Sequence, residues 1–382
     1  MTDLSGVQAV IAFFIFVSVS LLIYNLLYML RDRWEGVWHG RRVETWLREI
    51  SLQKRSREGR SSVRALPSHV RKIAWKLRRI VELTAYHDAM DRAAQGFTAE
   101  EMHEYLSQCR EGFEELAAYY ARRSDMEKAY FAHVLAEYPM DASGGRAADD
   151  MMTPFLLSDS VYSREYALRA LYAQGDPAAV ERALDLLARR GVFHHEILLA
   201  GGLSAFRGDI MALARRLWSR APDWPEYMEA AVVRFISLTG ADFAKPLLEA
   251  AAGKRQLSPG VRLAILEYFR EHPYGPAKGL ILEYLRTDQG VTADLAAAAA
   301  SSAAAYPGED TIEALKSALS SSYWDVRNNA AESLMALGVV QEDLKDVLLG
   351  NDRDALEMLC YHVQAQGQEQ LIPQCAMRGE AE

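Results

Sequence analysis

Residues 319–338 read LSSSYWDVRNNAAESLMALG, and this stretch decides the fold. A serine-rich turn precedes a helix-forming run that ends at a glycine, which is a typical helix stop. Similar stops recur along the second half of the chain at intervals of 29 to 34 residues: Gly175, Gly208, Gly240, Pro273, Pro307, Gly338 and Gly367. A period of this length predicts an array of helix pairs, because each pair buries its apolar faces only against its neighbours.

A second, shorter helix follows each stop, as in DPAAVERALDLLARRG (176–191) and GEDTIEALKSALS (308–320). In the other helix of each pair, small or aliphatic residues recur in steps of 32 to 34: Ala167, Leu199, Ala231, Ile265, Ala297 and Ala330. Small side chains let neighbouring helices pack closely. We therefore expect this column, and Trp324 beside it, to be buried between adjacent pairs.

The quoted stretch resembles the second half of a HEAT repeat through Asp325, Val326, Arg327, Ala330 and Gly338. Looser matches occur at 157–175 and 258–269. The resemblance implies an α-solenoid over 150–367, with an Asp–Arg hydrogen-bond ladder to which Asp325 and Arg327 belong. Glu196, Met228 and Asp294 stand where other repeats would carry the arginine, which would interrupt the ladder. The residues that we expect to have repeat-structural roles are Trp324, Asp325, Arg327, Ala330, Arg164 and Arg262.

An apolar run lies at the other end of the chain. Val7 to Leu30, VQAVIAFFIFVSVSLLIYNLLYML, contains no charged residue. Its 24 residues would form about 36 Å of helix, enough to cross a hydrocarbon core of about 30 Å. A cleaved signal peptide would need a basic start, a shorter run and a small-residue cleavage site, which this segment lacks. The sequence predicts one uncleaved transmembrane helix at 7–30.

Charge predicts the orientation of this helix. Residues 31–79 contain 15 Lys/Arg and 5 Asp/Glu, whereas residues 1–30 carry only Asp3. The positive-inside rule places the basic segment and the body in the cytoplasm, at the cell membrane, with residues 1–6 outside. Asn25 is polar within the apolar run. It either bonds to another membrane helix or reaches the headgroup region.

The basic segment, 31–83, is predicted to form two amphipathic helices. Val43, Trp46, Leu47 and Ile50 make one apolar stripe, 54–62 reads as a flexible basic loop, and a second helix opens at Pro67 with an apolar face that extends to Thr84. Anionic lipid headgroups or an acidic partner surface would be attracted here, unless the charges serve only topology. The candidate membrane or partner contacts are Asn25, Arg31, Arg33, Trp34, Trp38, Arg41, Arg42 and Trp46.

The rest of the chain completes an all-α prediction. Residues 84–149 read as a helical spacer with a capping box at Thr98 and Glu101. A boundary is expected at 141–150, and a tail at 368–382 follows the array. The three cysteines form no CxxC pair and no zinc pattern.

No catalytic or metal-binding motif is recognisable, and no cofactor is predicted. His194, His195 and Glu196 are the most suggestive cluster, but adjacent histidines on a helix point about 100° apart, so a helix-start surface patch is the better interpretation. The net charge of −9 argues against a nucleic-acid protein. Residues 80–382 alone sum to −18.

Two functional hypotheses follow. The chain resembles bacterial membrane-anchored HEAT-repeat proteins that accompany family 2 glycosyltransferases, through its anchor, basic segment, spacer and array. This resemblance implies a scaffold that binds a protein partner, such as a membrane glycosyltransferase. The alternative is a HEAT-like lyase or other enzyme with a small-molecule pocket on the concave face of the array.

Overall fold

A computed structural model of the chain describes residues 4–57, 60–63, 65–140, 146–254, 256–286 and 291–368. The first half of the expected boundary, 141–145, and the tail beyond residue 368 lie outside these residues. The described part is α-helical apart from loops, short 3₁₀ or π turns and one small hairpin, which confirms the all-α prediction at this level. The chain divides into two compact units: unit 1 extends to Gln174, and unit 2 begins at Gly175.

Unit 1 begins with one very long helix. Its elements are α1 (Leu4–Ser51), β1 (Lys54–Arg57), β2 (Arg60–Val63), α2 (Pro67–Lys76), α3 (Ile80–Ala94), α4 (Ala99–Gln108), α5 (Arg110–Tyr120), α6 (Asp125–Glu137), α7 (Arg146–Leu156) and α8 (Val161–Gln174). The strands β1 and β2 pair antiparallel. Part of the stretch predicted as a flexible loop, 54–62, is therefore a hairpin.

Helix α1 contains both the apolar run and the first predicted helix of the basic segment, since it is continuous over 48 residues. In the described part of the chain it is the one helix long and apolar enough to cross a membrane, and none of its most apolar window is buried. Its last turns differ: Val43, Trp46 and Ile50 are buried where α1 contacts α3. The predicted stripe is thus confirmed as a packing face.

The second predicted helix of the basic segment is two helices in the structure. A turn at residues 77–79 separates α2 from α3, and it changes which face is buried. Ile73 and Leu77 are buried as expected, but Val81 is 39% exposed and Leu83 is buried instead. The helix phase does not continue through the turn, so the prediction was wrong beyond Leu77.

Close packing fixes the remainder of unit 1. Helix α2 approaches α5 so closely that a Cβ atom at Gly112 would lie 3.0 Å from the carbonyl oxygen of Val70. The capping box predicted at the start of α4 is present, with Thr98 and Glu101 each accepting from the other's backbone N–H. Helix α2 thus packs on α5, whereas α3 packs on α1.

Unit 2 is a succession of helices. They are α9 (Pro177–Arg190), α10 (Glu196–Leu203), α11 (Ile210–Arg220), α12 (Glu226–Thr239), α13 (Ala244–Glu249), α14 (Pro259–Glu271), α15 (Lys278–Arg286), α16 (Ala293–Ala303), α17 (Glu309–Ala318), α18 (Trp324–Ala336), α19 (Lys345–Leu349) and α20 (Arg353–Ala365). Each even-numbered helix from α10 to α18 contacts the next even-numbered helix. Gly240 and Gly338, two of the predicted stops, follow their helices with positive φ, a conformation that favours glycine.

The predicted column of small and aliphatic residues is buried throughout: Ala167, Leu199, Ala231, Ile265, Ala297 and Ala330. Trp324 does not join it, because its side chain is 57% exposed. Trp324 is the first residue of α18, and the buried face of that helix starts at Val326. The prediction that Trp324 is buried was therefore wrong.

Hydrogen bonds and ion pairs link successive even-numbered helices of unit 2, but through residues other than those expected. Arg234 on α12 pairs with Glu196 on α10 at 2.8 Å and with Glu267 on α14 at 3.1 Å. Further along, the Asn329 side chain donates to the Ala297 carbonyl at 2.9 Å, and Ser333 donates to that of Ala300 at 2.8 Å. Ser302 on α16 donates to the Leu266 carbonyl on α14 at 3.0 Å, so each junction from α10 to α18 has at least one such bond.

The arginines of the HEAT-like segments mainly hold their own loops. Arg327 donates to the carbonyl of Ser321 at 2.8 Å, and Arg164 donates to that of Ser158 at 2.7 Å, six residues earlier in each case. Asp325 lies exposed in the first turn of α18. Arg262 instead interacts with the Tyr284 side chain. The predicted ladder role of Arg327 thus differs from the contact that the structure shows.

Candidate functional site

A cleft on unit 1 collects several of the charged residues that the sequence singled out. It has a volume of about 240 Å³ and lies between the last turns of α1 and the helices α2 and α3. We call it the basic cleft. The residues that line it are Trp38, Arg41, Arg42, Thr45, Trp46, Glu49, Lys72, Lys76 and Glu82.

The floor of the basic cleft is Trp46, which is only 2% exposed. Its indole N–H donates to a carboxylate oxygen of Glu82 at 3.0 Å, and its ring packs edge-to-face on Tyr86 with 5.2 Å between centroids. The indole is therefore fixed between α1 and α3. Trp46 was predicted to contact a membrane or partner surface; the structure instead places its side chain in the core, where it only lines the floor of the basic cleft.

Two ion pairs cross the basic cleft. Arg42 lies 3.3 Å from Glu82, and the Lys72 ammonium contacts Glu49. Partial burial lowers the pKa of Lys72, the charge of Lys76 lowers it further, and Glu82 opposes the shift. Lys72 is thus a cation already partly deprived of water beside another cation.

The other two cations lie against or near aromatic rings. The Arg41 guanidinium is 5.2 Å from the centroid of Trp38, and the Lys76 ammonium is 5.8 Å from that of Trp46. These distances are within the range of cation–π attraction. Four cations and two carboxylates leave a formal charge of +2 in the basic cleft.

A buried polar chain begins behind Glu49. The His69 imidazole lies 3.8 Å from the Glu49 carboxylate and hydrogen-bonds to the Tyr105 hydroxyl at 2.9 Å, which in turn contacts the Tyr86 hydroxyl at 3.0 Å. Burial lowers the pKa of His69 to about 4. The imidazole is therefore neutral at pH 7, so it adds no charge next to Glu49.

The remaining predicted contacts lie on α1 away from the basic cleft. Arg31 pairs with Glu35 at 3.1 Å, whereas Asn25, Arg33 and Trp34 are exposed. The structure thus joins Trp38, Arg41 and Arg42 with two lysines and two carboxylates, and it leaves the other predicted residues on a separate stretch of helix.

The histidine cluster of the sequence serves the fold. His195 caps α10 by accepting from the Ile197 N–H at 3.2 Å, Glu196 pairs with Arg234 of α12, and His194 is buried rather than on the surface. Among the described residues, no group of three or more His, Cys, Asp or Glu side chains is placed to hold a metal ion.

Comparison with known proteins adds no relative. No protein-family model matches the chain, and neither curated protein sequences nor solved structures give a significant match. The functional argument therefore depends on the packing and charges described above.

Proposed function

We propose that this chain is a membrane-anchored HEAT-type scaffold that binds a protein partner at the cytoplasmic face of the cell membrane. The observation that carries the proposal is the division of α1 into two environments. The side chains of its apolar part are exposed, although contact of such side chains with water is unfavourable. Its last turns are buried in unit 1. A helix so divided is suited to hold a folded body next to a bilayer.

Repetition in unit 2 supports the array. The column residues of unit 2, from Leu199 to Ala330, are buried, and side-chain bonds join α10 to α12, α12 to α14, α14 to α16 and α16 to α18. This pattern of contacts supports an α-solenoid, in which each repeat would pack on its neighbours and the stack would offer an extended binding surface.

Two exposed aromatic residues at the start of α18 are the strongest candidates for partner contact. Tyr323 and Trp324 are 56% and 57% exposed. Large aromatic side chains frequently dominate the energetics of protein interfaces. The negative charge of residues 80–382 favours a partner with a basic face, and this attraction would weaken at high salt.

The anchor is tested by extraction and by topology. We expect the full-length protein to stay in the membrane fraction after alkaline carbonate treatment. A reporter that works only in the cytoplasm should be active when it is fused at the C-terminus. Release by carbonate would contradict the anchor, and a reporter active only outside would contradict the orientation.

The partner is tested by affinity purification of the full-length protein in mild detergent. We expect a membrane protein, with glycosyltransferases as the first candidates, to co-purify in fixed stoichiometry. Trp324→Ala should reduce its recovery about tenfold or more, as loss of an interface hot spot does. The matched control is Leu349→Ala, at a residue 78% exposed. Co-purification of a small molecule without any protein would favour the enzyme alternative.

A further inference from the structure

The two carboxylates that line the basic cleft do not balance its four cations. Glu82 faces Arg42 and Glu49 faces Lys72, whereas the contacts shown for Arg41 and Lys76 are with ring faces. Within the described part of the chain, these two cations are therefore the groups best placed to receive an anion. Such an anion would also relieve the repulsion between Lys72 and Lys76.

The size of the basic cleft restricts what enters it. Its volume of about 240 Å³ lies below the 300–1,000 Å³ of typical pockets for drug-sized ligands, which favours a compact anionic group. A phosphomonoester carries close to two negative charges at pH 7. It would therefore match the formal +2 of the basic cleft better than a phosphodiester, which carries one.

Position along α1 indicates where that phosphate comes from. The basic cleft begins at Trp38, eight residues or about 12 Å along the axis beyond Leu30. Trp34, an amphipathic residue of the kind found at the membrane interface, lies between them and is exposed. On insertion, an apolar run longer than the core thickness would tilt, which would bring one side of α1 closer to the headgroups.

We propose that the basic cleft binds the phosphomonoester headgroup of an anionic lipid such as phosphatidic acid, with Arg41 and Lys76 as its principal contacts. The proposal rests on the insertion of α1 that the proposed function includes. Lys72 and Arg42 remain paired with their carboxylates and form the walls, and the fixed indole of Trp46 is the floor.

The test uses the full-length protein in nanodiscs of neutral phosphatidylcholine, with either 10% phosphatidic acid or 20% phosphatidylglycerol added to match the charge. Acetylation of each lysine is followed by mass spectrometry. We expect phosphatidic acid to slow the modification of Lys76 about fivefold and phosphatidylglycerol to slow it less than twofold. Lys245 and Lys345, exposed in unit 2, are internal controls.

Two variants locate the effect. Arg41→Gln should lose about fivefold of the protection, the factor expected for one basic residue near a charged lipid, and Arg48→Gln should leave it unchanged. Arg48 is exposed on the same helix but outside the basic cleft. Equal loss in both variants would show a diffuse attraction and overturn the proposal.

Three further outcomes would also overturn it. Equal protection by the two lipids removes the phosphomonoester preference, and absence of protection removes the site. Equal protection by soluble glycerol 3-phosphate in neutral discs assigns the cleft to a free phosphate ester instead of a lipid. Failure of the protein to insert into discs is a separate result, since it contradicts the anchor of the proposed function.

Discussion

Substitution of Ala330 by aspartate tests the packing between the helices of unit 2. Ala330 is fully buried in α18. A carboxyl group there would be held neutral, because burial raises the pKa of a carboxyl by several units. Keeping it protonated at pH 7 against an ordinary pKa of about 3.9 costs about 4 kcal/mol, at 1.36 kcal/mol per pH unit. Overpacking adds about 1–3 kcal/mol.

The total, about 5–7 kcal/mol, should lower the Tm by 10 °C or more, since a body of this size loses about 2–4 °C per kcal/mol. The assay is thermal unfolding of the full-length protein in detergent, followed by far-UV circular dichroism. Ala330→Asn is the matched control, because it has nearly the same shape and no ionisable group. Trp324→Ala, at the exposed start of the same helix, should change stability by no more than about 0.5 kcal/mol.

The pH dependence separates charge from volume. Between pH 7 and pH 5 the extra cost of aspartate over asparagine should shrink by about 2.7 kcal/mol, because less free energy is needed to keep the carboxyl neutral. Equal stability of the two Ala330 variants at pH 7 would refute the buried position. So would a loss at Trp324→Ala as large as that at Ala330→Asp.

Three further measurements address unit 1. The pKa of His69 falls from 6.5 to about 4 on folding, so the unfolded state binds more protons than the folded state. The free energy of unfolding should therefore fall by up to about 3 kcal/mol as the pH drops from 6.5 toward 4. Urea unfolding curves of His69→Gln should lack this pH dependence. Trp46→Phe should cost about 2 kcal/mol through the lost bond to Glu82, and the double mutant with Glu82→Ala should cost less than the sum of the two single mutants, because each single mutant already loses this bond. Burial raises the pKa of the Cys109 thiol to about 12, so native protein should resist alkylation at this residue about a hundredfold more than protein in guanidinium; equal rates would contradict its burial.

The period of unit 2 could be predicted from the sequence because its signals are local and repeated. Helix stops such as Gly240 and the small residues of the column obey spacing rules that need no tertiary information. The side on which a first-turn residue lies depends on the loop before it. For this reason Ala330 was placed correctly and Trp324 was not.

The basic cleft could be predicted only in part. The stripe through Val43 and Ile50 marked the packing face of α1. Its partners come from α3, which follows the turn at residues 77–79, and this turn contains no glycine or proline that would predict it. Glu82 joins the cleft because that turn reorients the chain. Pairing across such a distance depends on how three helices meet, and a single sequence contains no local pattern for it.

Because helix α1 is continuous, it also fixes the side of the helix on which Asn25 lies relative to unit 1. Asn25 and Val43 are 18 residues apart, which is five turns of 3.6 residues, so on a straight helix they share one azimuth. Val43 faces the body of unit 1. In the proposed membrane setting, a neighbouring helix that bonds to Asn25 would thus lie beneath unit 1. One residue inserted between Leu30 and His39 would rotate Asn25 by about 100° around the helix axis relative to unit 1.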